Sequence, residues 1–180
     1  MKKLIAAMLL GTVLVVGGCN SEKIYSNPET EATAAEEVTY EDLNTDISEF
    51  STVFNAYLNE HMDDVSVARG DGTTPAGQAC TYEYLTCDTY RKLTLTEESD
   101  DAVTVEEYFD MTDGRLFLAR TTAYNDGTYG DVEKYIISGD TIYILNGSDK
   151  TVETRTVADS GMQIYYSFDE IAYVYETGEE

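Results

Sequence analysis

Basic side chains are scarce in this chain. Its 180 residues carry 11 Lys and Arg against 35 Asp and Glu, a formal net charge of −24. Nucleic-acid binding rests on Lys and Arg displacing counterions from phosphates, so this balance excludes it. The same deficit excludes an electrostatic grip on an anionic membrane surface. Tryptophan is absent, which weakens a sugar-stacking role, although tyrosine can stack. The one histidine is His61, and a single His excludes paired-His zinc motifs such as HExxH. It falls near the end of an expected helix, where a cation is favoured; that explains it more simply than general-base catalysis. A Ser–His–Asp triad would draw on residues distant in sequence, but no GxSxG elbow is present. Gly70-Asp71-Gly72 neither follows an expected strand nor opens a helix, so it is no dinucleotide fingerprint. No catalytic residue, metal ligand or cofactor site is therefore expected, and the chain is not read as an enzyme. The length suits one domain with appendages.

The first residues have a clear pattern. Met1-Lys2-Lys3 is basic, and residues 4–16 are uncharged and almost wholly apolar. As a helix they rise only about 20 Å, short of the roughly 30 Å core of a bilayer. A basic start, a short apolar run and small residues read as a secretory signal peptide over residues 1–18. Val16-Gly17-Gly18-Cys19 resembles a bacterial lipobox, the signal for lipid attachment to a cysteine and cleavage just before it. That resemblance covers the export segment alone. It implies a lipoprotein acylated at Cys19 (palmitate being a typical acyl group), anchored to a bacterial cell membrane and facing away from the cytoplasm. An ordinary signal peptide, or an anchor helix with a chance cysteine, is the alternative. Residues 20–38 hold five Glu and one Lys with few large apolar side chains. Such a composition does not order itself, so residues 19–38 read as a lipidated cysteine and an acidic tether spanning roughly 25 Å. A docked N-terminal arm is the other reading.

Residues 39–62 show the 3.6-residue period of an amphipathic helix. Leu43, Ile47, Phe50, Phe54, Tyr57, Leu58 and Met62 form one stripe. Thr39 and Asp42 resemble a capping box. The opposite face is acidic and reads as solvated, with docking of a basic partner or cation as the alternative. After residues 69–77, a loop by Gly and Pro content, the chain becomes rich in Thr, Tyr, Val and Ile, which favour strands. Turn residues punctuate it at Asp113-Gly114, Asn125-Asp126-Gly127, Gly139-Asp140, Asn146-Gly147-Ser148 and Asp159-Ser160-Gly161. The expectation is a single α+β domain over residues 39–180. Its N-terminal amphipathic helix packs on a bent antiparallel meander of about seven strands, the last at residues 162–168. Residues 171–175 are a further strand or, from the Ser167-Phe168-Asp169-Glu170 pattern, a short helix. Within residues 39–180, Leu, Ile, Val and Phe total only 29 of 142. The 14 Tyr there must fill part of the core, with hydroxyls reaching partners.

Cys80 and Cys87 remain once Cys19 is assigned to lipid. Outside the cytoplasm an even pair suggests a disulfide. A hairpin between them would allow it; one continuous strand would hold them about 23 Å apart. Free thiols or a redox or metal pair are the alternatives, though the CxxC spacing is missing. Adjacent carboxylates recur at Asp63-Asp64, Glu97-Glu98, Asp100-Asp101, Glu106-Glu107 and Asp169-Glu170, as chance supplies in so acidic a chain. Residues 110–114 and 125–131 are oxygen-rich but lack EF-hand spacing, and hairpin turns explain them first. The function expected is that of a lipid-anchored binding or interaction module for an envelope protein or small ligand. A carrier holding an apolar ligand beneath the helix is the alternative, and a carboxylate-dependent hydrolase a second.

Overall fold

The computed structural model describes residues 38–177. The expected export segment, the lipobox-like motif with Cys19 and almost all of the expected tether lie outside them. Helix α1 (Tyr40–Glu60) begins at the expected cap. The Asp42 N–H donates to Thr39 Oγ1 at 3.3 Å, and the Thr39 N–H donates back to the Asp42 carboxylate at 3.2 Å. A 3-10 turn at Met62–Asp64 follows.

One antiparallel sheet occupies most of the rest. Its strands are β1 (Ser66–Thr73), β2 (Ala79–Thr86), β3 (Arg91–Glu98), β4 (Ala102–Asp110), β5 (Leu116–Tyr124), β6 (Glu133–Ser138), β7 (Thr141–Asn146) and β8 (Thr151–Thr156). Each strand pairs only with its neighbours in sequence, in the order β1 to β8. The domain is thus α+β with a meander, as expected, but the sheet has eight strands. The unexpected one is β1, which begins before the expected loop and runs through Gly70 and Gly72. Tyr82 lies directly opposite Gly70, and a Cβ at Gly70 would stand 3.0 Å from its ring. An aromatic ring covering a strand glycine supplies the contact that glycine lacks. The turn at Gly139-Asp140 joins β6 to β7, with Ser138 opposite Thr141 and Gly139 at φ 55°, a conformation natural to glycine.

The sheet is covered on both faces. On one face a row crosses it at a single level: Tyr84, Leu93, Tyr108, Leu118, Tyr135 and Ile144 are successive register partners on β2 to β7. Tyrosine and aliphatic side chains alternate along it, which is how a chain poor in Leu, Ile and Val fills a core. Residues 162–168 lie over this row and are not the strand that was expected. Helix α2 (Val157–Ser160) precedes them and α3 (Phe168–Thr177) follows. Ile164, Phe168 and Ile171 are buried there with the row. The Glu170 N–H donates to Ser167 Oγ at 3.3 Å, and the Glu170 carboxylate accepts from the Tyr166 N–H at 2.9 Å. The Ser167 signal therefore marked a helix start.

The other face carries Phe117, Ile136 and Leu145, packed with Leu43 and Ile47 of α1 and with Met111. Phe54 of α1 meets Tyr90 and Phe109 edge-on, each at 5.5 Å between ring centroids. Leu43, Ile47 and Phe54 are all at most 5% exposed, so side chains fill the centre of the helix stripe; the groove of about 450 Å³ beside its first turns is open and lined by the charged Asp42, Asp46 and Arg115 as well as Leu43 and Tyr143.

Candidate functional site

Three of the buried tyrosines end on carboxylates. Tyr108 donates its hydroxyl to Glu106, Tyr135 to Glu133 and Tyr84 to Glu176, each at 2.6 Å. Glu106 and Glu133 converge on one guanidinium. Arg120 bonds Glu106 at 2.6 and 2.8 Å and Glu133 at 3.1 Å. A glycosidase-like site would need one of two carboxyls free to hold a proton over a substrate. Here both are spent on Arg120 and on phenols, which makes a structural ion-pair network. Burial first, then the charge of Glu106, pushes the Tyr108 phenol far up.

The residues singled out from sequence are scattered. Cys19 lies outside the described residues. Cys80 and Cys87 are both free thiols, which overturns the expected disulfide. Cys80 lies near the start of β2 and Cys87 just past its end at Thr86, so an extended run of about six residue steps, roughly 20 Å, separates them. Burial, then the charges of Glu106 and Glu97, push the Cys80 thiol up, which disfavours the reactive thiolate. The Cys87 sulfur accepts from the Tyr90 N–H at 3.3 Å. His61 stacks on Tyr57 at 4.4 Å and stands 3.5 Å from Asp64, half-buried at the end of α1. In the two oxygen-rich turns three carboxylates hold the turns themselves. Asp110 accepts from the Thr112 N–H, Asp113 from the Arg115 N–H and Asp126 from the Thr128 N–H. Among the described residues no group of three or more His, Cys, Asp or Glu is placed to hold a metal ion.

A groove of about 650 Å³ runs between the end of β1 and α3. Tyr82 on β2, Tyr165 before α3, and Val174 and Tyr175 on α3 form its aromatic wall; Asp71, Gly72, Thr73 and Thr74 form the other side. The Tyr82 and Tyr175 rings are 4.8 Å apart, and the phenols of Tyr165 and Tyr175 share a hydrogen bond. Burial, then the neighbouring Tyr165, holds the Tyr175 phenol well above its ordinary range. The wall therefore presents neutral rings with hydroxyls at their ends. Gly72 keeps the groove open, since a Cβ there would stand 3.4 Å from the Tyr82 ring and 3.7 Å from the Tyr175 hydroxyl. Thr74 is buried at the floor of the hairpin, its N–H donating to the Gln78 carbonyl at 2.8 Å. Such a surface suits an apolar or aromatic group bearing a hydrogen-bonding end. Comparison with known protein families, curated proteins and solved structures found no match.

Sequence reasoning missed this groove because its walls come from three distant stretches. The glycines read as loop residues, and residues 162–168 read as a strand. The signal that was available is the clustering of Tyr165, Tyr166, Tyr173 and Tyr175 just after a turn. Each of the eight basic side chains in residues 39–177 is also engaged: seven pair with carboxylates, and Lys134 donates to the Asn44 amide oxygen at 3.4 Å. The groove rim and the surface around it are correspondingly anionic or neutral. Among the described residues no helix is long and apolar enough to cross a membrane.

Proposed function

We propose that this chain is a lipid-anchored interaction module, held to a bacterial membrane through Cys19 and facing away from the cytoplasm. Its ligand site is the groove of Tyr82, Tyr165 and Tyr175. The groove carries the binding part of this reading: neutral aromatic walls, hydroxyl ends and a glycine that keeps it open. The Val16-Gly17-Gly18-Cys19 motif supports the anchor, and the scarcity of basic residues supports attachment by lipid without electrostatic help. A carrier of an apolar ligand beneath α1 loses support because Leu43, Ile47 and Phe54 fill that space. A carboxylate hydrolase loses support because Glu106 and Glu133 share Arg120.

Two measurements test it. In bacteria fed an alkyne-tagged fatty acid, the full chain should take up label and sediment with membranes, and Cys19→Ser should do neither. Label retained by Cys19→Ser overturns the anchor. Gly72→Val should keep the circular dichroism of the parent while losing capture of envelope components from detergent extract. Unchanged capture overturns the groove.

A further inference from the structure

The edge of the sheet at β1 is eight residues long, free of proline and largely exposed. Its hydrogen-bond phase can be read from its surroundings. The Thr74 N–H donates to the Gln78 carbonyl, and the Cys87 N–H donates to the Tyr90 carbonyl. Antiparallel ladders alternate with period two. In β2 the odd-numbered residues therefore bond toward β3 and the even-numbered toward β1. Register pairs Gly70 with Tyr82 and Gly72 with Cys80, so even-numbered residues of β1 bond inward. The N–H and C=O groups of Val67, Arg69, Asp71 and Thr73 point outward, unused by the sheet.

The geometry points to a second copy of this chain as the partner of that edge, paired antiparallel through β1 about a twofold axis at Gly70. In this register Arg69 faces Asp71 of the second copy, and Asp71 faces its Arg69. Val67 likewise faces Thr73, so the four outward residues of each copy match one another in phase. The twofold passes through Gly70, at a non-hydrogen-bonded position where two backbones come within about 4.5 Å. Ala68 meets Gly72 beside it, so only small residues meet on the tyrosine-covered face.

Charge supports this choice of occupant. Arg69 already bonds Glu83 at 2.6 Å and remains 69% exposed in its side chain. Asp71 has no ion-pair partner among the described residues and lies on the same face of β1 as Arg69. The pairing gives Asp71 a cation in a domain whose other cations are engaged, and it does so twice by symmetry. The twofold is normal to the sheet, so both copies of α1 lie on one face, as two chains on one membrane require. The net charge of −22 on residues 39–180 opposes close approach, but beyond roughly 8 Å it is screened at physiological salt. The pairing does not depend on the groove or on the lipid.

The test uses two differently tagged copies of the full chain, co-expressed, extracted in mild detergent at physiological salt and captured through one tag. Wild type should bring down its partner. Asp71→Pro, which removes an outward N–H that β2 does not use, should lose it. Asp71→Arg with itself should lose co-capture, because Arg69 then faces Arg at 71; Arg69→Asp with itself should lose it for the converse reason. Asp71→Arg together with Arg69→Asp should regain it, since opposite charges face again. Wild-type co-capture no greater than that of Asp71→Pro overturns the pairing, and that comparison stands even if Arg69→Asp fails to fold. Co-capture unaffected by Asp71→Arg overturns the register.

Discussion

Alkaline pH should unfold this domain through its tyrosines. Tyr84, Tyr108 and Tyr135 are 4%, 0% and 6% exposed, and each donates to a carboxylate. Burial is the leading cause that raises each phenol, and the Glu partner adds to it. An ordinary phenol ionises near pH 10. Above that pH the unfolded chain releases these protons while the folded chain keeps them. The folded state then binds more protons than the unfolded, so stability falls as pH rises. The stabilisation is whole below pH 10 and is lost progressively above it. By linkage each such group costs about 1.4 kcal/mol by pH 11. Three give about 4 kcal/mol, or about 3 after allowing for solvent at the ends of Tyr84 and Tyr135. A domain of this size has about 5–15 kcal/mol in all, so the loss is a large share. Tyr165 and Tyr175 act in the same direction. The assay is a paired titration: tyrosinate absorbance at about 295 nm for ionisation, with far-ultraviolet circular dichroism for the fold. The buried set should ionise in one steep step that coincides with loss of the sheet signal. Smooth ionisation of every tyrosine near pH 10 with the sheet intact would refute the reasoning.

Three further outcomes follow from the packing. Leu118→Ala deletes a fully buried side chain between Tyr108 and Tyr135 in the cross-strand row and should cost about 2–5 kcal/mol in urea unfolding. Arg120→Ala strands Glu106, whose side chain is only 10% exposed; it should cost about 3 kcal/mol, and adding Glu106→Gln should recover part of that. Because Cys80 and Cys87 are free, a reducing agent should leave the melting temperature unchanged. Both thiols should alkylate after denaturation, and in the native state Cys87 should react before the buried Cys80.

The parts of this fold legible in the sequence are those set by local chemistry. Thr39 and Asp42 cap α1 through neighbours three residues apart, and Leu43, Ile47 and Phe54 carry the helical period. The hairpin turns announce themselves through Gly114, Gly127 and Gly139. The misreadings occur where a distant contact decides. Gly70 and Gly72 look like loop residues until Tyr82 is seen over them. Residues 162–168 have the composition of a strand, but burying Ile164 against the tyrosine row lays them over the face of the sheet, away from either edge. Cys80 and Cys87 are not bonded because β2 runs extended from Ala79 to Thr86 between them, with no hairpin to bring them together. The groove was illegible for the same reason: it exists only after α3 is set against β1 and β2.

The order of the elements along the chain has a consequence for biogenesis. The eight strands pair one after another, so the sheet is able to assemble as the polypeptide emerges. The face bearing Tyr84, Tyr108 and Tyr135 has no cover until Ile164, Phe168 and Ile171 arrive. Those residues follow all eight strands along the chain, so they are made after the sheet. Until then the nascent domain is a finished sheet with an apolar side open, the kind of species that aggregates or recruits chaperones. A chain stopped before Ile164 would leave that exposure permanent.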